Sequence, residues 1–145
     1  MTDFSLRVKW LSRAAAAQER VKEEREAVQV CMNRMTASSP TLSGMPGTHA
    51  PHDKMADGIE RLSNARYRLN RARYDLRWIR GEVYRCIMQS PIRDEEKRLL
   101  VLMYLHGAKN ADAAKALGKT APGITYLHRR AVSRLTMPPG WHTQL

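Results

Sequence analysis

Long apolar runs are missing from this chain, as is any charged start leading into one, so neither a membrane span nor a secretory leader is expected. A soluble, cytoplasmic protein is the resulting expectation. Cysteine is scarce: Cys31 and Cys86 match no metal-ligand or CxxC spacing, and free thiols are expected. Aromatic residues make up only 6%, with one Phe, which is thin for a wide globular core and suits a helical architecture built on Leu, Met, Ala and Arg. No nucleophile beside a base, carboxylate pair or Gly-rich phosphate loop stands out, so no enzymatic activity and no cofactor are expected. His49 and His52 form an HxxH pair without a further Cys or His nearby, which leaves a metal site short of ligands.

What the chain does have is positive charge. Among 145 residues, 25 Lys and Arg stand against 14 Asp and Glu, a formal charge of +11. Arg, the cation best suited to phosphate and base edges, outnumbers Lys, so an acidic partner is expected. The excess grows toward the C-terminus, and no acidic residue occurs from 113 to 145.

From about Phe4 to Met35 there is neither Gly nor Pro, which predicts one uninterrupted helix. Its apolar stripe runs through Val8, Leu11, Ala14, Ala15, Val21, Val28, Met32 and Met35, with Gln18 and Arg25 interrupting it. Residues 36–52, rich in Pro, Gly, Ser and Thr, read as a loop, and Asp53 reads as the cap of a second long helix. There Met55, Ile59, Leu62, Leu69, Ala72, Leu76, Ile79, Val83 and Ile87 form a stripe with coiled-coil spacing, in which Arg66 takes an apolar place. The two helices are expected to pair antiparallel as a rod-like hairpin over 1–90. A single hairpin buries few side chains, so self-association through it is also expected. The arginines of the second helix, from Arg61 to Arg85, cover several sides and read first as a solvated face partly paired with glutamates.

Ser90-Pro91 predicts the end of that helix, because Pro disfavours helical geometry in the residue before it. Asp94-Glu95-Glu96 opens a helix running to about His106, with Leu99, Leu100, Leu102, Met103 and Leu105 on it and Gly107 as its stop. Asn110 reads as the N-cap of a short helix from Ala111 to Leu117. Gly118 fits a positive-φ turn, and Thr120 caps the next helix with Pro122 in its first turn. Ala114, Gly118, Ile124 and Leu127 then stand at the relative positions 0, 4, 10 and 13 of a helix-turn-helix.

Ala131 and Leu135 continue the buried face of Ile124 and Leu127, which leaves Pro122, Tyr126, Arg129 and Ser133 outside, flanked by Thr125 and Arg130. An exterior of this kind suits a major groove: Thr125, Tyr126 and Arg129 are the expected base readers. Lys115, Lys119, Thr120, Arg130 and Arg134 are the expected phosphate contacts. His128, at the border of the buried face, reads as packed or phosphate-facing. The tail from Met137 reads as irregular, with Trp141 docking on the small domain.

Three segments carry a family resemblance: TLSGMPGTHAPHDKMADGIERL, DEEKRLLVLMYLHG and ITYLHRRAVSRL. With them the chain resembles small phage and prophage proteins related to the late-gene activators of the RinA and ArpU kind, whose C-terminal domain is similar to the fourth region of bacterial sigma factors. The resemblance implies an all-α regulator that binds double-stranded promoter DNA and contacts host RNA polymerase, with its sigma-like domain over 91–136. The first helical turn departs from the sigma pattern in reading Ala121, Pro122 and Gly123, which moves base readout onto Thr125, Tyr126 and Arg129. A phage small terminase subunit, binding packaging-site DNA, and a polymerase-binding interaction protein are the alternatives.

Overall fold

The computed structural model describes the backbone of residues 2–37 and 51–145 and the side chains of residues 2–37 and 54–145. The fold is all-α: α1 (Asp3–Leu11), α2 (Arg13–Ala37), α3 (Pro51–Gln89), α4 (Asp94–Tyr104), α5 (Asn110–Leu117), α6 (Ala121–Ser133) and a closing 3-10 turn, Trp141–Gln144. The described residues contain no strand, and none of their helices is long and apolar enough to cross a membrane.

The first helix is not straight, as an uninterrupted pattern suggested: α1 and α2 form a bent run of 35 residues. Ser12 stands at the break. Its hydroxyl donates to the Val8 carbonyl at 2.7 Å, an internal bond that competes with the helix ladder and bends it. The backbone bonds on either side persist, Ser12 N to Val8 O at 2.9 Å and Ala16 N to Ser12 O at 3.1 Å, so the run bends rather than ends.

Thr36 and Ala37 belong to α2, and Pro51 and His52 to α3, where a loop over 36–52 was expected. Thr36 is tolerated because its hydroxyl bonds the Met32 carbonyl at 3.0 Å. Pro51 can open a helix because no intrahelical bond needs its amide. Residues 38–50, and with them His49, lie outside the described residues, as do the side chains of His52 and Asp53.

The chain divides into two compact units. One is Gln18–Asp75, the facing parts of α2 and α3. Glu24 pairs with Arg68 at 3.4 Å, and Met35 lies against Gly58, where a Cβ would sit 3.4 Å from the Met35 Cγ. As one number rises the other falls, so the two segments run antiparallel. Val21, Ala65, Leu69 and Ala72 are buried along the seam.

Ala65, not Arg66, therefore fills the seam, and Arg66 is exposed. A shift of one residue turns a side chain by about 100°, enough to exchange the inner and outer faces. Met55 and Ile59 fall beside the seam and are exposed, as are Ala15 and Met32.

The other unit joins Met1–Ala17 to Leu76–Leu145, so the division falls inside both long helices rather than at Ser90-Pro91. Its larger core gathers Trp10, Leu11, Ala14, Val83, Cys86, Ile87, Leu100, Val132 and Trp141, among others. A smaller cluster of Leu99, Ala113 and Ile124 lies among α4, α5 and α6. The Trp10 indole donates to Gln144 Oε1 at 2.8 Å. Arg13 bonds both Gln144 Oε1 and Glu82 Oε1 at 3.1 Å, and its guanidinium lies 5.0 Å from the Trp10 ring centre. The tail is accordingly ordered rather than irregular, folded into its 3-10 turn with Trp141 buried.

Arg7 on α1 reaches the end of α6, where Nη1 donates to the carbonyls of Leu135, Val132 and Ser133 at 2.7, 3.2 and 3.3 Å. A cation there adds a donor to the carbonyls at and just beyond the helix end and opposes the negative end of its dipole. Replacing Arg7 with Ala is expected to cost about 2 kcal/mol, in line with hydrogen bonds made by charged groups. Urea denaturation followed by circular dichroism measures this, and an unchanged midpoint would deny the cap its role.

Candidate nucleic-acid interface

The turn between α5 and α6 is built from local chemistry. Gly118 adopts φ 64°, the left-handed region where a side chain would be strained, and Lys119 N closes the helix end on the Ala114 carbonyl at 2.9 Å. Thr120 follows in extended geometry and its Oγ1 accepts from Gly123 N at 3.2 Å, capping α6. A Cβ at Gly123 would stand 3.1 Å from that same hydroxyl, so glycine leaves the cap its room. The glycine in the first turn is thus explained by the cap it accommodates.

The cap of α5 differs from expectation, whereas α4 opens on its acidic residues as expected. Lys109, not Asn110, stands at the N-cap of α5, and Asn110 is the first helical residue. Arg93 occupies the N-cap of α4 without a side-chain bond, while Asp94, Glu95 and Glu96 take the first turn. On α5 the fully buried residue is Ala113, where Ala114 was expected, and Ala114 and Leu117 are partly buried against the same cluster.

On α6, Ile124, Ala131 and Val132 are buried, Leu127 is partly buried, and Leu135 is buried just beyond the helix. Pro122, Thr125, Tyr126, Arg129 and Ser133 are exposed, so the three expected base readers stand together on one outer face. Two hydroxyls of that face bond their own helix: Thr125 to the Ala121 carbonyl at 3.2 Å and Ser133 to the Arg129 carbonyl at 2.7 Å. Tyr126, at 67% exposure, and the Arg129 guanidinium are the long polar groups that extend from it.

The five expected phosphate contacts are not alike. Lys115 and Arg134 are exposed, Lys119 is exposed but pairs with Glu95 at 3.2 Å, and Thr120 has committed an acceptor lone pair to its cap. Arg130 turns inward, its Nε 3.7 Å from Glu96 Oε1. Glu96 is fully buried, and neither of its carboxylate oxygens, nor Arg130 Nε, has a hydrogen bond among the described residues. Arg130 is therefore placed to neutralise a buried carboxylate and is not grouped with the outward-facing cations.

His128 is packed. Its Nε2 lies 2.6 Å from the Tyr104 hydroxyl, its ring stacks on Tyr104 with centroids 5.7 Å apart, and Phe4 meets it edge-on at 5.9 Å. Burial holds the imidazole below its ordinary pKa and pushes the Tyr104 phenol up to about 12. The neutral ring can then accept the phenol's hydrogen bond.

Of the α3 arginines, Arg80 is a structural cap, donating to the Leu105 carbonyl at 2.7 Å. Arg68 pairs with Glu24, and Arg71 lies 3.9 Å from Asp75. Periodicity carries no trace of Arg7, Glu96 or Arg80 as functional positions, because each acts on a group distant in sequence.

Comparison of the chain with protein-family models, curated proteins and solved structures finds no match.

Two measurements test this arrangement. Arg130→Ala leaves Glu96 buried without its counter-charge and is expected to cost about 3 kcal/mol, much of it recovered when Glu96→Leu is added. A single variant as stable as the parent would remove the buried-pair assignment. For His128, the folded pKa lies below the ordinary 6.5, so the unfolded chain takes up the proton first as pH falls. The His128 contribution to stability is therefore complete above about pH 6.5 and is lost on acidification through that value. His128→Phe should flatten the fall in melting temperature between about pH 7 and pH 5, and equal slopes for variant and parent would contradict the packed neutral ring.

Proposed function

We propose that this chain is a sequence-specific DNA-binding regulator of phage transcription, an activator that reads promoter DNA through a helix-turn-helix formed by α5, the turn at Gly118 and α6. The observation that carries the reading is the two-sidedness of α6. One side is locked into the core by Ile124, Ala131 and Val132, and the other exposes Thr125, Tyr126 and Arg129, in a stretch with no acidic residue from 113 to 145.

A helix of this kind fits the major groove. Arg129 can fork onto guanine O6 and N7, Tyr126 can donate to or accept from a neighbouring base edge, and Thr125, whose hydroxyl hydrogen is given to the Ala121 carbonyl, can accept from one. Lys115 and Arg134 flank them as phosphate contacts. Lys119 exchanges Glu95 for a phosphate, a small loss because an exposed ion pair is worth little. The capped N-terminus of α6 adds backbone amides and the positive end of its dipole. In this reading the chain works in the host cytoplasm, self-associates through its long helices and engages host RNA polymerase at the promoter.

Tyr126→Ala and Arg129→Ala should each weaken binding to a site selected from a random duplex pool by about tenfold or more, with melting temperature unchanged because both side chains are exposed. Lys115→Ala should weaken all duplexes alike and lower the salt slope by about 0.9. Gel shifts in which both α6 variants bind like the parent would overturn the assignment. A genome-wide footprint at a packaging site instead of promoters would replace the transcriptional role with a terminase one.

A further inference from the structure

The two sides of α3 carry different chemistry. Ala65, Leu69 and Ala72 are buried in the seam, and at about 100° per residue Tyr67, Arg71 and Tyr74 fall on the opposite side of the same helix. Tyr67 and Tyr74 are 70% and 63% exposed, unusual for rings that favour burial or a partner.

Charge narrows the partner. Between positions 61 and 80 there are seven arginines and one acidic residue, Asp75. Arg71 lies between the two tyrosines, and its one ion pair among the described residues is the loose 3.9 Å approach to Asp75. Pairing this face with a second copy would set arginine against arginine, whereas a phosphate chain neutralises it.

Spacing narrows the partner further. At about 1.5 Å of rise per residue, Tyr67 and Tyr74 stand about 10 Å apart along the axis. Successive bases in a duplex strand are about 3.4 Å apart and already stacked. Rings on a convex helix cannot reach those faces, but the free bases of an extended single strand can each settle on a ring while phosphates meet Arg71 and its neighbours.

We propose that Tyr67, Arg71 and Tyr74 form a stacking platform for single-stranded nucleic acid, built from residues other than those of α6. The test is fluorescence anisotropy of the full chain with labelled oligo(dT) and oligo(U) of about 15 nucleotides, each challenged with unlabelled duplex of equal length. At least one oligomer binds, the two arms separate DNA from RNA, and duplex competes poorly. Replacing both tyrosines with Ala weakens binding by about tenfold or more, while replacing both with Phe preserves it, because the ring and not the hydroxyl stacks. Arg71→Ala lowers the salt slope by about 0.7.

Arg129→Ala leaves single-strand affinity unchanged, which separates a failure here from a failure of the α6 reading. Binding of neither oligomer, equal competition by duplex, or parental affinity in a Tyr67→Leu, Tyr74→Leu pair would overturn the proposal. So would sedimentation in which the double Ala variant dissociates a dimer while its oligomer affinity stays at the parental value, since the face would then serve self-association.

Discussion

Trp10 has no exposed surface, and burying an indole obliges the chain to find an acceptor for its N–H. The acceptor is Gln144, at the other end of the sequence, and Gln144 in turn donates to Glu82, which also binds Arg13. One apolar burial thus fixes three parts of the chain. Around it the core takes in Leu11 and Ala14, the last turns of α3, and Val132 with Leu135 from the end of α6. Arg7, carried on the same helix as Trp10, is thereby held where the α6 carbonyls need a cation. The small C-terminal helices are completed by the first seventeen residues of the chain, which belong to their compact unit.

Which of these features the sequence reveals depends on how local they are. Gly118 as a left-handed turn, Thr120 as a cap and Ile124, Ala131 and Leu135 as an inner face all follow from short spacings, and the structure has them so. The choice of Ala65 over Arg66 is harder, because alanine is weakly apolar and one position rotates the face by about 100°. The bonds of Arg7 to the end of α6 and of Trp10 to Gln144 span 125 or more residues, and no periodicity connects them. The exposed tyrosines of α3 escape a search for aliphatic stripes because they form a stripe of their own on the other side.

Arginine is the commonest cation here, and its uses separate by burial. Arg130 sits beside a carboxylate with no exposed surface, where losing the pair leaves a charge stranded at a cost of several kcal/mol. Arg7 and Arg80 close helix ends. Arg68 and Arg71, more than half exposed, are in pairs that contribute little to stability. Charge counting alone treats these residues as equivalent. Only the exposed ones can exchange a weak carboxylate contact for a phosphate without disturbing the fold.

The same division explains how α6 can be both rigid and available. Its first turn is capped by Thr120, its last carbonyls are bonded by Arg7, and its flanks are fixed by His128 against Tyr104 and by Arg130 against Glu96. Each constraint acts from the inner side or from the ends, and none uses Tyr126 or Arg129. A helix held this way has already lost the backbone entropy that binding would otherwise cost. What remains to be ordered on contact is the side-chain freedom of a few outward residues. Because the helix is set by contacts beneath it, changing the outer residues leaves its placement intact, whereas changing the inner ones disturbs the contacts that hold it.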